Sequence, residues 1–456
     1  MQTEKRILDG PRRNNRARRR ALIGIALGGW LLALTVGASP AASGKLATTF
    51  ENPLAVNGAD PYVVRYQGYY YLTMTTGDNV TLWRARWLTE LGAGPGRVVW
   101  SPGTGNLADV WSPELHRIGR RWDIYFAADQ AGNNATHRIY VLQSAGFNPL
   151  GPYHFQGMVH DRANQWAIDP TVLDYRGSRY LIWSGWLSPK NHVQHLMIDR
   201  LLSPTRLAPN ASILTTPVYS WETSVAPINE GPVVLRHGRR IFIVYSANAS
   251  WTDQYCLGLI TLVGTHPLRP QAWKKTPHPV FQSAHGIYGP GHASFATSEN
   301  GRQWWIIYHA AAYRGSGWTR VIRAQPFTWS PQGVPEFHAP VPADASLALP
   351  AGEPPTRTTY GPSARGANDV VFRVRARAGT YILWVRYRNT SGGTTSQSWM
   401  VNGTYEPALT YLPTNGQGSS FAMTQVTLRT GVNHLRFLEA GAAVSARIAW
   451  IQLALG

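Results

Sequence analysis

The chain is short of cysteine, of charge and of helical pattern, and each shortage excludes something. Cys256 is the one cysteine in 456 residues, so no intrachain disulfide can staple the fold. Only 15% of residues are charged, while 19 Trp, 21 Tyr and 12 Phe supply abundant apolar surface, which excludes a disordered polymer. No stretch sustains a 3.6-residue apolar stripe, so a parallel α/β barrel with its ring of amphipathic helices is excluded as well. What is present in quantity is Gly (44), Pro (32) and aromatic side chains, the composition of short strands joined by many turns. The length allows two or three domains at roughly 100–200 residues each.

Acidic side chains are also scarce: 24 against 43 basic ones, a net charge of +19. Such an excess raises nucleic acid or an anionic surface as a partner. Its distribution argues against nucleic acid. Residues 1–20 carry +6, residues 351–456 carry another +6, and the remaining +7 is spread over 21–350 without a run of Lys or Arg. Releasing counterions from phosphates needs clustered cations, so no nucleic-acid partner is expected.

The N-terminal charge belongs to a different pattern. Arg12, Arg13, Arg16, Arg18, Arg19 and Arg20 precede the apolar stretch ALIGIALGGWLLALTV at 21–36, and small residues follow in GASPAASG at 37–44. Cleavage after Ala38 or Ala41 would complete the layout of an export signal over 1–44. Arg19-Arg20 also admits the twin-arginine route. The apolar run falls short of the about 20 residues that span a bilayer, so cleavage is favoured over a membrane anchor. The folded part is therefore expected to be secreted or extracytoplasmic, touching a membrane only through an uncleaved leader.

Between residues 59 and 310 one pattern recurs five times. It reads ADPYVVRYQGYYYLTMT at 59–75, WSPELHRIGRRWDIYFAA at 111–128, IDPTVLDYRGSRYLIWSG at 168–185 and NEGPVVLRHGRRIFIVYSA at 229–247. A looser copy, YGPGHASFATSENGRQWWIIYHA, occupies 288–310. In each, a turn with proline (Pro61, Pro113, Pro170, Pro232, Pro290) leads into a short apolar strand. A glycine turn (Gly68, Gly119, Gly177, Gly238, Gly301) and an aromatic-rich strand follow. A hairpin repeated at this spacing, with room for about four strands per unit, predicts a five-bladed β-propeller over 45–345.

The first strand of each propeller blade lines the central channel, so its entrance residues converge. The expected occupants are Asp60, Ser112 with Glu114 beyond, Asp169, Glu230 and His292. A single Asp before Pro is usually only a turn residue. Three acidic groups at matching places in one repeat are different, because like charges converging on a channel are costly unless a ligand or proton uses them. Glycoside hydrolysis is the chemistry that wants them, with one acid for the leaving oxygen and one base for water.

These motifs, in the order ADP, WSPE, IDP, NEGP, DQYCLG at 253–258, YGPGH and RAQPFTW at 323–329, resemble family 43 of the glycoside hydrolases. The resemblance spans about 51–345 and implies an inverting hydrolase on a five-bladed propeller. Motif by motif it makes Asp60 the general base, Glu230 the general acid and Asp169 the group that orients the acid and raises its pKa. Inversion implies that Asp60 and Glu230 stand about 6.5–9.5 Å apart. It assigns His292 and Arg323 to substrate contact; Trp111, Trp166 and Trp83 are candidate stacking faces for sugar. It requires no cofactor and allows a calcium or other ion in the channel, held by His292 through water. NEGP, YCLG and YGPGH together look most like the α-L-arabinofuranosidases that release terminal arabinose from arabinan or arabino-oligosaccharides. The alternatives are a β-xylosidase, an endo-arabinanase, or, in another class, a non-catalytic glycan-binding envelope protein.

A Pro- and Ala-rich linker is expected at 346–355. Beyond it, 356–456 reads as alternating strands, and VFRVRAR and ARIAWIQL predict half-buried strands of a jelly-roll-like β-sandwich. The order of GTYILWVRY, GVNHLRF and IAWIQLA resembles carbohydrate-binding modules of the family 6 and 35 type. Trp399, Tyr405 and Tyr411 are its candidate sugar contacts. Its positive charge suggests acidic polymers as an alternative ligand. The fold class expected for the whole chain is all-β, a propeller followed by a sandwich.

Overall fold

Each of the five repeats folds as an antiparallel sheet. The computed structural model describes residues 44–103, 106–190, 192–366, 369–415, 418–438 and 446–456. The export signal expected over 1–44, with its candidate cleavage positions Ala38 and Ala41, lies outside the described residues but for Gly44. Blade one is built from Ala59–Tyr66, Tyr69–Thr75, Val80–Ala85 and Arg97–Trp100. Blade two is Leu107–Ile118, Arg121–Gln130, Asn133–Ser144 and Tyr153–Met158, and blade three Ala167–Tyr175, Ser178–Gly185, His195–Ser203 and Arg206–Leu207, with Ser212–Thr215 added to its third strand. Asn229–His237, Arg240–Ala247, Cys256–Leu262 and Trp273–Lys275 form blade four, and Gly291–Thr297, Trp304–Ala311, Arg320–Trp329 and Pro335–Glu336 form blade five. The five repeat glycines all take positive φ in the hairpin turns; at Gln67-Gly68 and Arg176-Gly177 both central residues do so, as a type I′ turn requires.

The first strands touch one another in sequence, one to two through to five, and the fifth touches the first. That closure makes a five-bladed propeller. Apolar clusters fill every gap between successive blades. Most of the aromatic excess goes there: Trp122 and Trp305 are fully buried, and Trp83 packs between blades one and five rather than in the channel.

The ring is closed by chain that precedes blade one. Leu54 N–H donates to Ile322 O at 2.7 Å and Ile322 N–H to Ala55 O at 2.9 Å, along the third strand of blade five. The buried Asn52 amide grips Ala324 on both sides, donating to its carbonyl at 2.8 Å and accepting its N–H at 2.9 Å.

The C-terminal strands form two five-stranded sheets. One runs Lys45–Leu46, Thr358–Tyr360, Ala446–Leu455, Gly379–Asn389, Ser420–Leu428; the other runs Ala364–Arg365, Asp369–Ala376, Gly431–Leu438, Thr395–Val401, Thr404–Tyr411. Val370, Phe372 and Val374 point inward against Leu383, Val385 and Ile451 of the first sheet, as the alternation predicted. Trp399 and Tyr411, expected as sugar contacts, are core residues: Trp399 stacks on Phe437, and Tyr411 is fully buried and bonded to Gln397. Tyr405 alone of the three is exposed.

The first sheet is buried on both faces, which is why ILWVRY, 382–387, shows no alternation. Its outer face, with Ile382, Trp384, Phe421 and Ala454, packs on Val56 and Ala93 of the propeller side. Two of the arginines behind the positive charge of this region are buried here. Arg386 pairs with Glu51 at 2.7 Å, and Arg357 lies 4.0 Å over Trp384 and donates to Thr89 O. The change of composition near 350 is no free tether: Leu347–Ala348 pairs with Thr49–Phe50, and Lys45–Leu46 lies in a sandwich sheet. Among the described residues no helix is long and apolar enough to cross a membrane.

Asn52→Ala leaves a buried N–H and a buried C=O of Ala324 without partners, at a cost of about 3 kcal/mol. Equilibrium urea denaturation is expected to show a clearly lower midpoint than the wild-type chain, whereas an unchanged midpoint would deny the clasp its role in closing the ring.

Candidate active site

The first strand of every blade breaks its register at a matching place: between Ala59 and Tyr62, Trp111 and Glu114, Ile168 and Thr171, Glu230 and Val233, Gly291 and Ser294, with a further break in blade two between Ala108 and Trp111. One residue inside each matching break has left-handed backbone: Asp60 (φ 55°), Ser112 (47°), Asp169 (54°), Gly231 (53°) and His292 (41°). A bulge of this kind re-aims a side chain, and for residues other than glycine the backbone costs of order 1–3 kcal/mol, a strain that collects at functional sites.

The break corrects two alignments drawn from sequence. Gly231, not Glu230, is the partner of Asp60 and Asp169; Glu230 stands one residue earlier, where blades one and three have Ala59 and Ile168. In blade five Ala293, not Pro290, takes the place of the proline, because the strand begins at Gly291.

Hydrogen bonds join the five bulges around the channel. Thr75 Oγ1 donates to Asp60 Oδ2 at 2.5 Å and accepts the Ser112 N–H at 2.8 Å. Ser112 Oγ donates to Asp169 Oδ1 at 2.5 Å, and Asp169 Oδ2 accepts the Gly231 N–H at 2.9 Å. Ser246 Oγ accepts the His292 N–H at 2.7 Å, and His292 Nδ1 lies 3.1 Å from Asp60 Oδ1, returning to blade one. His309 Nδ1 accepts the Asp60 N–H at 3.0 Å. At Gly231 a side chain would be crowded and its backbone strained, since φ is positive and a Cβ would stand 3.0 Å from His292 Nδ1 and 3.2 Å from Ser246 Oγ.

The two carboxyl groups expected to act are pushed in opposite directions. Burial alone would raise Asp60, but the His292 charge and hydrogen bonds outweigh it and hold the carboxyl well below its usual range. Arg320 Nη1, 3.7 Å from Asp60 Oδ1, adds positive charge. Glu230 is raised to about 8, first by burial and then by the neighbouring Asp169 charge, while the Tyr255 hydroxyl, donating to Oε1 at 2.7 Å, pulls it partly back. Asp169 is itself raised by burial, yet both of its oxygens accept hydrogen bonds, as a carboxylate does. His309 lies 3.3 Å from Asp60 Oδ1, but burial and Arg320 push it down to about 3. It is neutral, and its Nδ1 is the acceptor of a backbone N–H, so it supplies shape rather than charge.

Glu230 is fixed from behind. The buried Glu222, on the short helix Ser220–Thr223, accepts the Asn229 amide at 2.9 Å and the Tyr245 hydroxyl at 2.8 Å and pairs with Lys275 at 2.5 Å. Asn229 is thereby pinned immediately before Glu230.

Other expected residues fall less evenly. Trp111 stacks on His137 at 4.0 Å, and the buried Trp166 stacks on Trp186 at 4.6 Å. Together they form an aromatic cluster beside Ile168, so Trp166 supports the wall more than it offers a face. Arg323 is not in the site. It is fully buried and donates to Val341 O at 3.0 Å, while Arg320, three residues (about 10 Å) nearer the channel mouth, reaches Asp60. The family motif named an arginine on this strand that lies away from Asp60.

The ion allowed beside His292 was expected through water, and direct ligation by the imidazole does not fit these residues. Burial would lower the imidazole, but Asp60 and Asp169 raise it to about 9, and an imidazolium has no lone pair to give a cation. Among the described residues no three His, Cys, Asp or Glu side chains are grouped as a metal would need.

Sequence reading missed Arg320, Tyr255, Glu222 and the second-strand latches. Thr75, Ser184, Ser246 and His309 occupy one column of the repeat, opposite Ala59, Ile168, Glu230 and Gly291. Each bonds to the next blade, Ser184 through the Asn229 carbonyl at 2.9 Å. A polar residue recurring in an aromatic strand was the available signal.

A family model described as "Glycosyl hydrolases family 43" matches residues 50–335. The chain is 33% identical over 326 residues to an extracellular exo-alpha-(1->5)-L-arabinofuranosidase of Streptomyces avermitilis, covering 68% of each chain. It is 36% identical over 307 residues to the protein of the same name from Streptomyces chartreusis, covering 65% of this chain and 92% of that one. The crystal structure of an alpha-L-arabinofuranosidase from Lactobacillus brevis superposes with a TM-score of 0.61 at 31% identity, over 65% of this chain and 98% of the other.

The electrostatics make a direct prediction about Glu230, to be read from its isotope-edited infrared carboxyl band. The band is expected to titrate near 8. Tyr255→Phe removes a hydrogen bond to the charged form and should move the midpoint up, whereas Asp169→Asn removes a like charge and should move it down. A midpoint near 4.5 in the wild-type chain would contradict the assignment.

Proposed function

The chain belongs to glycosyl hydrolases family 43, and on that premise we propose that it is an inverting, exo-acting α-L-arabinofuranosidase. The observation that carries this reading is the opposed pair, Asp60 held ionised and Glu230 held protonated at neutral pH. In the proposed reaction Asp60 removes a proton from a water that attacks the anomeric carbon. Glu230 gives its proton to the glycosidic oxygen as the C–O bond breaks. Water and two carboxyl groups suffice, so the reaction needs no cofactor. Tyr255 then stabilises the carboxylate that Glu230 becomes, and Asp169 restores its preference for a proton in the next cycle. Arg320, anchored to Ser250 O at 2.8 Å, is assigned the hydroxyl contacts of the bound sugar that the motif had given to Arg323.

The choice of arabinose follows the names of the relatives, which are arabinofuranosidases; the substrates proposed are arabinose-containing polysaccharides or oligosaccharides. Two relatives are named extracellular, which supports export of this chain by the basic, apolar leader at 1–44. The division proposed is a catalytic propeller over 45–345, a packed connection at 346–355 and an accessory sandwich over 356–456, to which residues 45–46 add a strand.

Incubation with arabinan should release arabinose alone, and proton NMR should detect the β-anomer first. Release of larger oligosaccharides would overturn exo action, and first appearance of the α-anomer would overturn inversion. Asp60→Ala and Glu230→Ala should each lower kcat by about 10²–10⁴. For the wild-type chain, kcat/KM should fall as pH rises through about 8, where the acid loses its proton.

A further inference from the structure

Two large apolar side chains stand exposed on the channel face. Trp251 is 43% and Trp318 68% solvent-exposed, and their rings meet edge to face with centroids 5.8 Å apart. They come from different blades. Trp251 lies between the second and third strands of blade four, and Trp318 occupies the corresponding connection of blade five. Both connections leave the end of the second strand, the end at which the bulges cluster.

The pair is tied to the reacting groups by short links. Trp318 Nε1 is 3.5 Å from Ser250 Oγ, Ser250 O accepts Arg320, and Arg320 faces Asp60. Trp251 shares its loop with Tyr255, which holds Glu230. The loops are braced. Asp253 accepts the Gly315 N–H at 3.0 Å and faces Arg314 at 3.8 Å; Thr252 N–H bonds to Ala249 O at 3.1 Å and Ala312 N–H to Thr319 O at 2.9 Å. A rigid, exposed indole pair is a platform for a ligand with an apolar face and little charge, and the C–H face of a sugar ring is such a ligand.

Resting on the function proposed above, we propose that Trp251 and Trp318 bind the leaving-group side of the substrate, the sugars of an arabino-oligosaccharide beyond the bond that is cut. Glu230 protonates the leaving oxygen, so the loop that holds Glu230 through Tyr255 borders that side. The pair gives the enzyme a preference for a chain over a lone glycoside without adding a contact to the reacting ring.

The test compares kcat/KM for α-1,5-linked arabinotriose with that for methyl α-L-arabinofuranoside, whose leaving group is too small to reach the pair. In Trp251→Ala/Trp318→Ala the ratio is expected to fall roughly tenfold through KM for the triose, and Trp→Phe at both positions should restore part of it. An unchanged ratio in a chain that melts like the wild type would overturn the platform and leave the function standing. Equal losses on both substrates would also overturn it, placing the pair at the reacting sugar. A wild-type chain that frees arabinose from neither substrate would overturn the function, and the platform with it.

Discussion

The structure turns on five bulged residues that link across the blades around one channel. A propeller blade brings its first strand to the axis, but a regular strand would alternate its side chains and offer the axis nothing particular. The bulge, with one left-handed residue, changes that at the same position in every blade. Asp60, Ser112, Asp169 and His292 use the turned position to reach a neighbouring blade, and Gly231 leaves room for His292. The strain at each bulge is held by bonds that cross between blades, so the integrity of the ring and the placing of the carboxyl groups are one property.

From this constraint the electrostatics follow. Asp60 sits where the ring closes and meets the His292 and Arg320 charges. Glu230 stands one residue off the ring, facing Asp169 and the apolar burial of its own blade, and the Tyr255 hydroxyl and the His292 charge, which favour its ionised form, do not outweigh them. Two carboxyl groups of one repeat thus acquire opposite protonation from a one-residue offset. His309 contributes by staying neutral, accepting a backbone N–H where a proton would repel Arg320.

Much of this was readable in the sequence, because a repeat exposes its own exceptions. The hairpin pattern gave five blades, and the ADP, IDP and NEGP segments placed Asp60, Asp169 and Glu230 at the channel. The offset of Glu230 was hidden, since proline marks the motif while the bulge residue sets the geometry, and blade five has no proline there. Arg323 was named and Arg320 missed because a motif names a strand without saying which end lies near Asp60. The sandwich strands showed their alternation wherever one face is wet, as in VFRVRAR. ILWVRY lost it because its second face lies against the propeller, an arrangement that local pattern does not encode. The same contact absorbs Arg357 and Arg386, so net charge overstated what the sandwich presents to a partner.

The central claim is that the ring fixes opposite protonation states on Asp60 and Glu230 before substrate arrives. Neutron diffraction from a deuterium-exchanged crystal at pH 7 reads those states directly. The account predicts a deuteron on the Glu230 carboxyl group and none on Asp60. A bare Glu230, or a deuteron on Asp60, would contradict it.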